Sequence, residues 1–76
     1  MVIILEFNIR LKKLRQSKNV SQIAVSQSTG ISNRYYQELE YGEKEPTMSK
    51  LVALANFFNV SIDYLVGRTD NPEINR

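Results

Sequence analysis

The chain has 76 residues, about half the usual length of one domain, which excludes a two-domain enzyme and implies one thin core. It has no cysteine and no histidine, so disulfides, thiol chemistry and the common zinc-ligand sets are excluded, and no catalytic residue, metal or cofactor is expected. With 42 % hydrophobic and 24 % charged residues and a net charge of +2, the composition is that of a folded soluble domain rather than a disordered or membrane chain.

Met1 to Leu5 is the longest apolar run, and Glu6 ends it, so it is too short for a membrane span or a signal-peptide core. A cytoplasmic protein with no membrane partner is expected. Val2, Ile3, Ile4 and Leu5 favour an extended strand, and residues 1–6 are set apart as an apolar arm. Helical spacing begins at Phe7, with Arg10, Leu11 and Leu14 following at helical intervals, and predicts a first helix over 7–18.

Three later places repeat one pattern: Val20-Ser21 with Val25, Ile31-Ser32 with Tyr36, and Val60-Ser61 with Leu65. In each, a Ser oxygen can take a free backbone N–H at a helix start while the apolar residues on either side close over the first turn. Thr47 after Pro46 marks another start, for a helix whose apolar face is Leu51, Leu54, Ala55 and Phe58. Gly30, Gly42 and Gly67 stand where a left-handed residue ends a helix. The prediction is an all-α bundle of five helices, at 7–18, 22–28, 33–41, 48–58 and 62–66. Residues 7–67 then form the domain, and residues 68–76 are expected to be a mobile tail.

Helices two and three are separated only by Thr29-Gly30-Ile31, the tight turn of a helix-turn-helix. Ser26 is small enough to let the two helices approach, and Val25, Ile31, Tyr36 and Leu39 are the residues to fill the space between them. Charge is uneven along the chain. Residues 1–34 hold six basic side chains against one acidic, or +5, and residues 35–76 hold four basic against seven acidic, or −3. Spacing and charge together fit a DNA-binding pair of helices, and they also fit a helical hairpin in an interaction module or a merely solvated helix face.

The stretches LKKLRQSKNVSQ, TGIS and YYQELEYGEKEPTMSKLVALANFFNVSIDYLVG carry a further signal. From Arg10 to Gly67, about three quarters of the chain, the sequence resembles the Cro and phage-repressor type of helix-turn-helix domain, the XRE family. The Ser-Gln, Leu-Glu-x-Gly, Pro-Thr and Val-Ser-x-Asp pieces come in that family's order. The resemblance implies the phage-repressor five-helix fold and sequence-specific binding of double-stranded operator DNA, usually by a two-fold homodimer that represses transcription.

Position by position, the resemblance implies a phosphate contact for Gln22 and base-reading roles for Asn33 and Arg34, where Arg suits guanine and Asn suits adenine. Gln37 and Glu38 complete the groove-facing surface. Glu38 is an acid where the family has a neutral or basic residue, able to accept from cytosine or else to repel phosphate. Tyr35 is expected within reach of a phosphate or a thymine methyl, and Tyr36 in the core. Lys44 and Thr47, at the loop before helix four, are expected to face the DNA backbone. Glu43 and Glu45 stand where relatives carry basic residues, so this loop should add less electrostatic affinity than is usual.

Arg15 and Glu40 match a structural salt bridge between helix one and the end of helix three. Ala24 stands in place of a capping-box Glu, and Ile23 is apolar at a position normally exposed, which makes it a candidate partner contact. Around helix five, Val60, Ile62, Tyr64 and Val66 exceed what one short helix buries inward, so Ile62, Tyr64 and Val66 are the expected dimer contacts. The expected function is a small repressor of prophage or mobile-element type. The alternative is an antitoxin or protein-binding module of the same fold, and the candidate protein partners are a toxin or an anti-repressor.

Overall fold

In the computed structural model, which describes residues 7–74, short turns join five helices: α1 (Phe7–Ser17), α2 (Gln22–Thr29), α3 (Asn33–Tyr41), α4 (Met48–Phe58) and α5 (Ile62–Leu65). The expectations for the arm at 1–6 lie outside the described residues. All four marked starts are capped. Ser21 accepts from the Ala24 N–H, Ser32 from Tyr35, Thr47 from Lys50 and Ser61 from Tyr64. Each such cap contributes about 1 kcal/mol. The apolar residues flanking the three Ser caps also go where the pattern puts them: Val25, Tyr36 and Leu65 are fully buried, Ile31 and Val60 nearly so, and Val20 packs against the core.

The helix ends follow a broader rule than glycine alone. Gly30 ends α2 at φ 77° and Gly42 ends α3 at φ 80°, but Asn19 and Asn59, both at φ 56°, take the left-handed position after α1 and α4. Asparagine tolerates that region better than other residues with a Cβ. Its use here explains why α1 stops at Ser17 without a glycine.

Phe7, Leu11, Val25, Tyr36, Leu39, Leu54, Phe58 and Leu65 form the centre of the core, each 2 % exposed or less. Around them α1 packs on α3 and α5, α2 on α3 and α4, and α4 on α5. Full burial of one such aliphatic or aromatic side chain is worth about 1.5–3 kcal/mol, and these eight come from all five helices, so each helix depends on the others.

Two expectations need correction. Val66 is only 7 % exposed and closes the core after α5, so it is not surface available to a partner; Ile62 and Tyr64 are half-buried against the same core. The cause is the brevity of α5, whose four residues leave the following residue to fill the space beneath them.

The stretch after Gly67 does not run free either. The Arg10 guanidinium donates to the carbonyls of Tyr64 (3.1 Å) and Thr69 (2.9 Å), pairs with Asp70 at 3.1 Å and stacks 4.5 Å from the Tyr64 ring centre. The Ser61 N–H donates to the Pro72 carbonyl at 3.0 Å. The guanidinium carries five N–H donors, and the returning backbone supplies two of its acceptors. Thr69, Asp70 and Pro72, in the stretch expected as a mobile tail, thus contact α1 and the start of α5.

Candidate nucleic-acid interface

The turn between α2 and α3 is built from local bonds. The Thr29 hydroxyl donates to the Val25 carbonyl at 2.8 Å and accepts from the Ile31 N–H at 3.4 Å, and the Gly30 N–H donates to the Ser26 carbonyl at 3.0 Å. Ser26 is 6 % exposed with its hydroxyl donated back to the Ile23 carbonyl, so the close approach of α3 leaves no polar group stranded there. The left-handed Gly30 then sends the chain into α3 at an angle that buries Tyr36, Leu39 and Glu40 and turns the other side outward.

Beneath α3 lies a polar cluster. Glu40 is 4 % exposed and its carboxylate accepts from Arg15, from the Tyr36 hydroxyl at 2.6 Å and from the Gln22 side-chain amide at 3.0 Å. Burial alone would raise the Glu40 pKa, but the hydrogen bonds from Arg15, Tyr36 and Gln22 outweigh it and hold the carboxyl below its ordinary value. Tyr36 is pushed up by burial and by donating to that carboxylate, and Arg15 is pushed up by its bond to Glu40 in spite of its own desolvation. Both oxygens of the acid are thus satisfied, and Gln22, which opens α2, is tied to the end of α3.

On the outer side of α3, Arg34 has a side chain 88 % exposed, and its Nε lies 3.5 Å from the Glu38 carboxylate one turn along. Gln37 is half-buried beside them, and Tyr41 is 60 % exposed at the end of the helix. Asn33, in the first turn, has its carboxamide oxygen buried with no hydrogen-bond partner among the described residues. An unsatisfied buried acceptor costs about 1–3 kcal/mol, which favours any arrangement that brings it a donor.

Tyr35, expected within reach of a phosphate or a thymine methyl, also has a partner inside the protein. Its hydroxyl donates to the Glu45 carbonyl at 3.0 Å and its ring lies 4.8 Å from the Lys50 ammonium, so it brackets the loop between α3 and α4. Thr47 uses its hydroxyl oxygen as the α4 cap and meets the Ser49 hydroxyl at 3.2 Å. Lys44 is exposed on the same loop between exposed Glu43 and Glu45. Lys50 was not among the expected site residues. Its position three residues after the cap, on the first turn of the helix that follows the Lys44 loop, was the available signal.

The structure thus gathers Asn33, Arg34, Gln37 and Glu38 on α3, sets Lys44, Thr47 and Lys50 at the start of α4, and keeps Gln22 beside Glu40. Ile62 and Tyr64 lie on α5. The family model for the helix-turn-helix HTH_3 matches residues 11–65, which hold all five helices but the first turn of α1. The chain belongs to that family.

As an HTH_3 protein it resembles several curated regulators. It is 36 % identical over 64 residues to the uncharacterized HTH-type transcriptional regulator YobD of Bacillus subtilis, covering 84 % of this chain and 57 % of that one. It is 40 % identical over 63 residues to the SPbeta prophage-derived uncharacterized regulator YonR of the same organism, covering 83 % and 58 %. The cryptic phage CTXphi transcriptional repressor RstR of Vibrio cholerae is 41 % identical over 59 residues, covering 78 % and 53 %. The chain therefore spans a little over half the length of these relatives. No solved structure gives a significant match. Among the described residues no helix is long and apolar enough to cross a membrane.

Proposed function

We propose that this helix-turn-helix protein is a sequence-specific DNA-binding regulator of transcription, a small repressor of prophage type that inserts α3 into the major groove as a homodimer. The observation that carries the reading is the two-sidedness of α3. Tyr36, Leu39 and Glu40 anchor one side in the core, and the other presents Arg34, Gln37 and Glu38 on a helix held at its start by the Gly30 turn. A helix fixed in this way fits a groove about 12 Å wide, with residues near its N-terminus nearest the base edges.

The residues gathered on α3, α2 and the start of α4 each have a role on this reading. Arg34 offers a fork of donors to guanine, and Asn33, whose oxygen lacks a donor, gains one from adenine N6 when its carboxamide turns to the groove. Gln22 donates one amide hydrogen to Glu40 and keeps the second for a phosphate, which sets α2 on the backbone without reading sequence. Lys44 from the loop, Thr47 from the cap and Lys50 from the first turn of α4 approach the next phosphates. The phage repressor among the relatives supports repression and a phage setting, and the RstR match covers 78 % of this chain. Selection of bound sites from random double-stranded DNA tests the proposal: enrichment of one two-fold-symmetric sequence supports it, and recovery of unenriched DNA overturns it.

A further inference from the structure

We propose that Glu38 is a positioning residue for Arg34, holding its guanidinium so that the protein selects guanine at one position of each half-site. This rests on the DNA-binding reading above and gives it a chemical target. Arg34 and Glu38 are four positions apart on α3, so both side chains lie on one face of the helix. The Arg34 Nε is 3.5 Å from the Glu38 Oε2, while the Arg34 side chain is 88 % exposed and that of Glu38 is 21 % exposed. The acid is therefore the better-anchored partner, lying against the helix, and the arginine is the one it steadies.

Which nitrogen is held decides what remains free. A carboxylate at Nε engages the inner side of the guanidinium and leaves the two terminal Nη groups to project past it. Two parallel N–H donors are what guanine O6 and N7 accept in the major groove. An arginine with no such neighbour must lose its side-chain freedom on binding, and a pre-set one loses less. Desolvation in the groove strengthens the pair, because water no longer screens the two charges.

The pair also accounts for an acid on a surface that meets a polyanion. Alone, Glu38 would repel phosphate; paired, it and Arg34 carry no net charge, so they add little to sequence-independent affinity and act mainly on discrimination. Glu43 and Glu45 lie in the loop between α3 and α4, outside the helical spacing that brings Arg34 and Glu38 together.

The test uses the full chain and three variants, Glu38→Gln, Arg34→Ala and the double variant. Sites are selected from random DNA with the wild type, and each base of the selected site is then replaced in turn and titrated by fluorescence anisotropy. The wild type is expected to require guanine at one position. Glu38→Gln should relax that same position by about tenfold and leave random-DNA affinity unchanged or higher, Arg34→Ala should abolish the preference, and the double variant should be no worse than Arg34→Ala there. Loss at a different base pair, additive with Arg34→Ala, would show that Glu38 reads a base itself and overturn the proposal. An unaltered base profile for Glu38→Gln overturns it equally, leaving an ion pair of the free surface only. A wild type that enriches no sequence instead sinks the DNA-binding reading on which the proposal stands. Both side chains are at the surface, so the variants keep the fold.

Discussion

The Arg15 guanidinium and the Glu40 carboxylate join α1 to the end of α3 through two contacts, Nε to Oε2 at 2.5 Å and Nη2 to Oε1 at 3.2 Å, with the Glu40 side chain wholly buried. The third guanidinium nitrogen, Nη1, donates to the Val20 carbonyl at 3.0 Å, which also fixes the turn before α2. One ion pair thereby sets three helices. Replacing Glu40 by Ala leaves Arg15, Tyr36 and Gln22 without their acceptor, and loss of one partner from a buried pair costs about 3–5 kcal/mol. Against a total stability of about 5–15 kcal/mol, Glu40→Ala is expected to lower the melting temperature by many degrees, with DNA binding falling only as folding falls. A wild-type melting curve combined with lost DNA binding would place Glu40 at the interface instead.

The same carboxyl fixes the acid side of the stability profile. The Glu40 pKa is lowered on folding, so its contribution is complete above its ordinary value of about 4.5 and disappears as pH falls below that through the folded value. Tyr36 is raised, so its contribution holds below its ordinary value of about 10 and is lost as pH rises above it. With no histidine in the chain, no side chain of ordinary pKa titrates between them. Thermal melts are expected to be flat from about pH 5.5 to 8 and to fall outside about pH 4.5 and 10, with Glu40→Gln giving a lower plateau and a shallower acid limb. An acid limb as steep in Glu40→Gln as in the wild type would assign it to other carboxylates.

The caps and the helix-turn-helix were legible in the sequence because their causes are local. A Ser four residues before an apolar side chain, and a Gly after a helical run, act within one turn of themselves. Asn19 and Asn59 were missed because a left-handed asparagine has no such neighbouring signature. The tie from Gln22 to Glu40 spans 18 positions and that from Arg10 to Thr69 spans 59, and neither can be read until the helices are packed. Arg10 counted as one of six basic residues in the first half of the chain. Packing commits it to the backbone after α5, so net charge along the sequence overstated what faces a nucleic acid.

Arg34 and Gln22 are expected to fail in opposite ways. Arg34→Ala should weaken the preferred site by about 1–3 kcal/mol and hardly change random DNA, because only the base contact is lost. Gln22→Ala should weaken every site by a similar amount, because a phosphate contact carries no sequence information. Anisotropy titrations on both kinds of DNA check this. Equal losses for Arg34→Ala on specific and random DNA would make it a backbone contact, and a sequence-dependent loss for Gln22→Ala would make it a reader.

Tyr35→Phe removes a single oxygen and so isolates the tether to the Glu45 carbonyl. The bond is exposed, and its loss should cost about 0.5–1.5 kcal/mol at most. The expected result is a small drop in melting temperature with a modest, sequence-independent loss of DNA affinity, because the loop carrying Lys44 is then less well held against the backbone. A loss confined to one base pair would return Tyr35 to the base-reading set.

The homodimer is the prediction with most at stake, because one recognition helix contacts only a few base pairs and specificity then depends on two copies about 34 Å apart along the DNA. With Val66 in the core, the apolar surface left for a partner is smaller than the sequence suggested. Ile62 and Tyr64 remain half-buried, and Val52 and Ile74, 40 % and 38 % exposed, line one groove with Ile62, Ala55 and Val60. Introducing a charge there should oppose association without disturbing the core, since Val52 lies on the outer side of α4. Sedimentation equilibrium is expected to show a dimer for the full chain, a dimer constant at least about tenfold weaker for Val52→Glu, and the same melting temperature for that variant in its monomeric range. A parallel chain lacking residues 1–5 separates any contribution of the apolar arm, and an unchanged dimer constant after that deletion would remove it. A full chain that stays monomeric without DNA would show that no stable dimer forms, and tight, non-cooperative binding to an isolated half-site would show that none is needed.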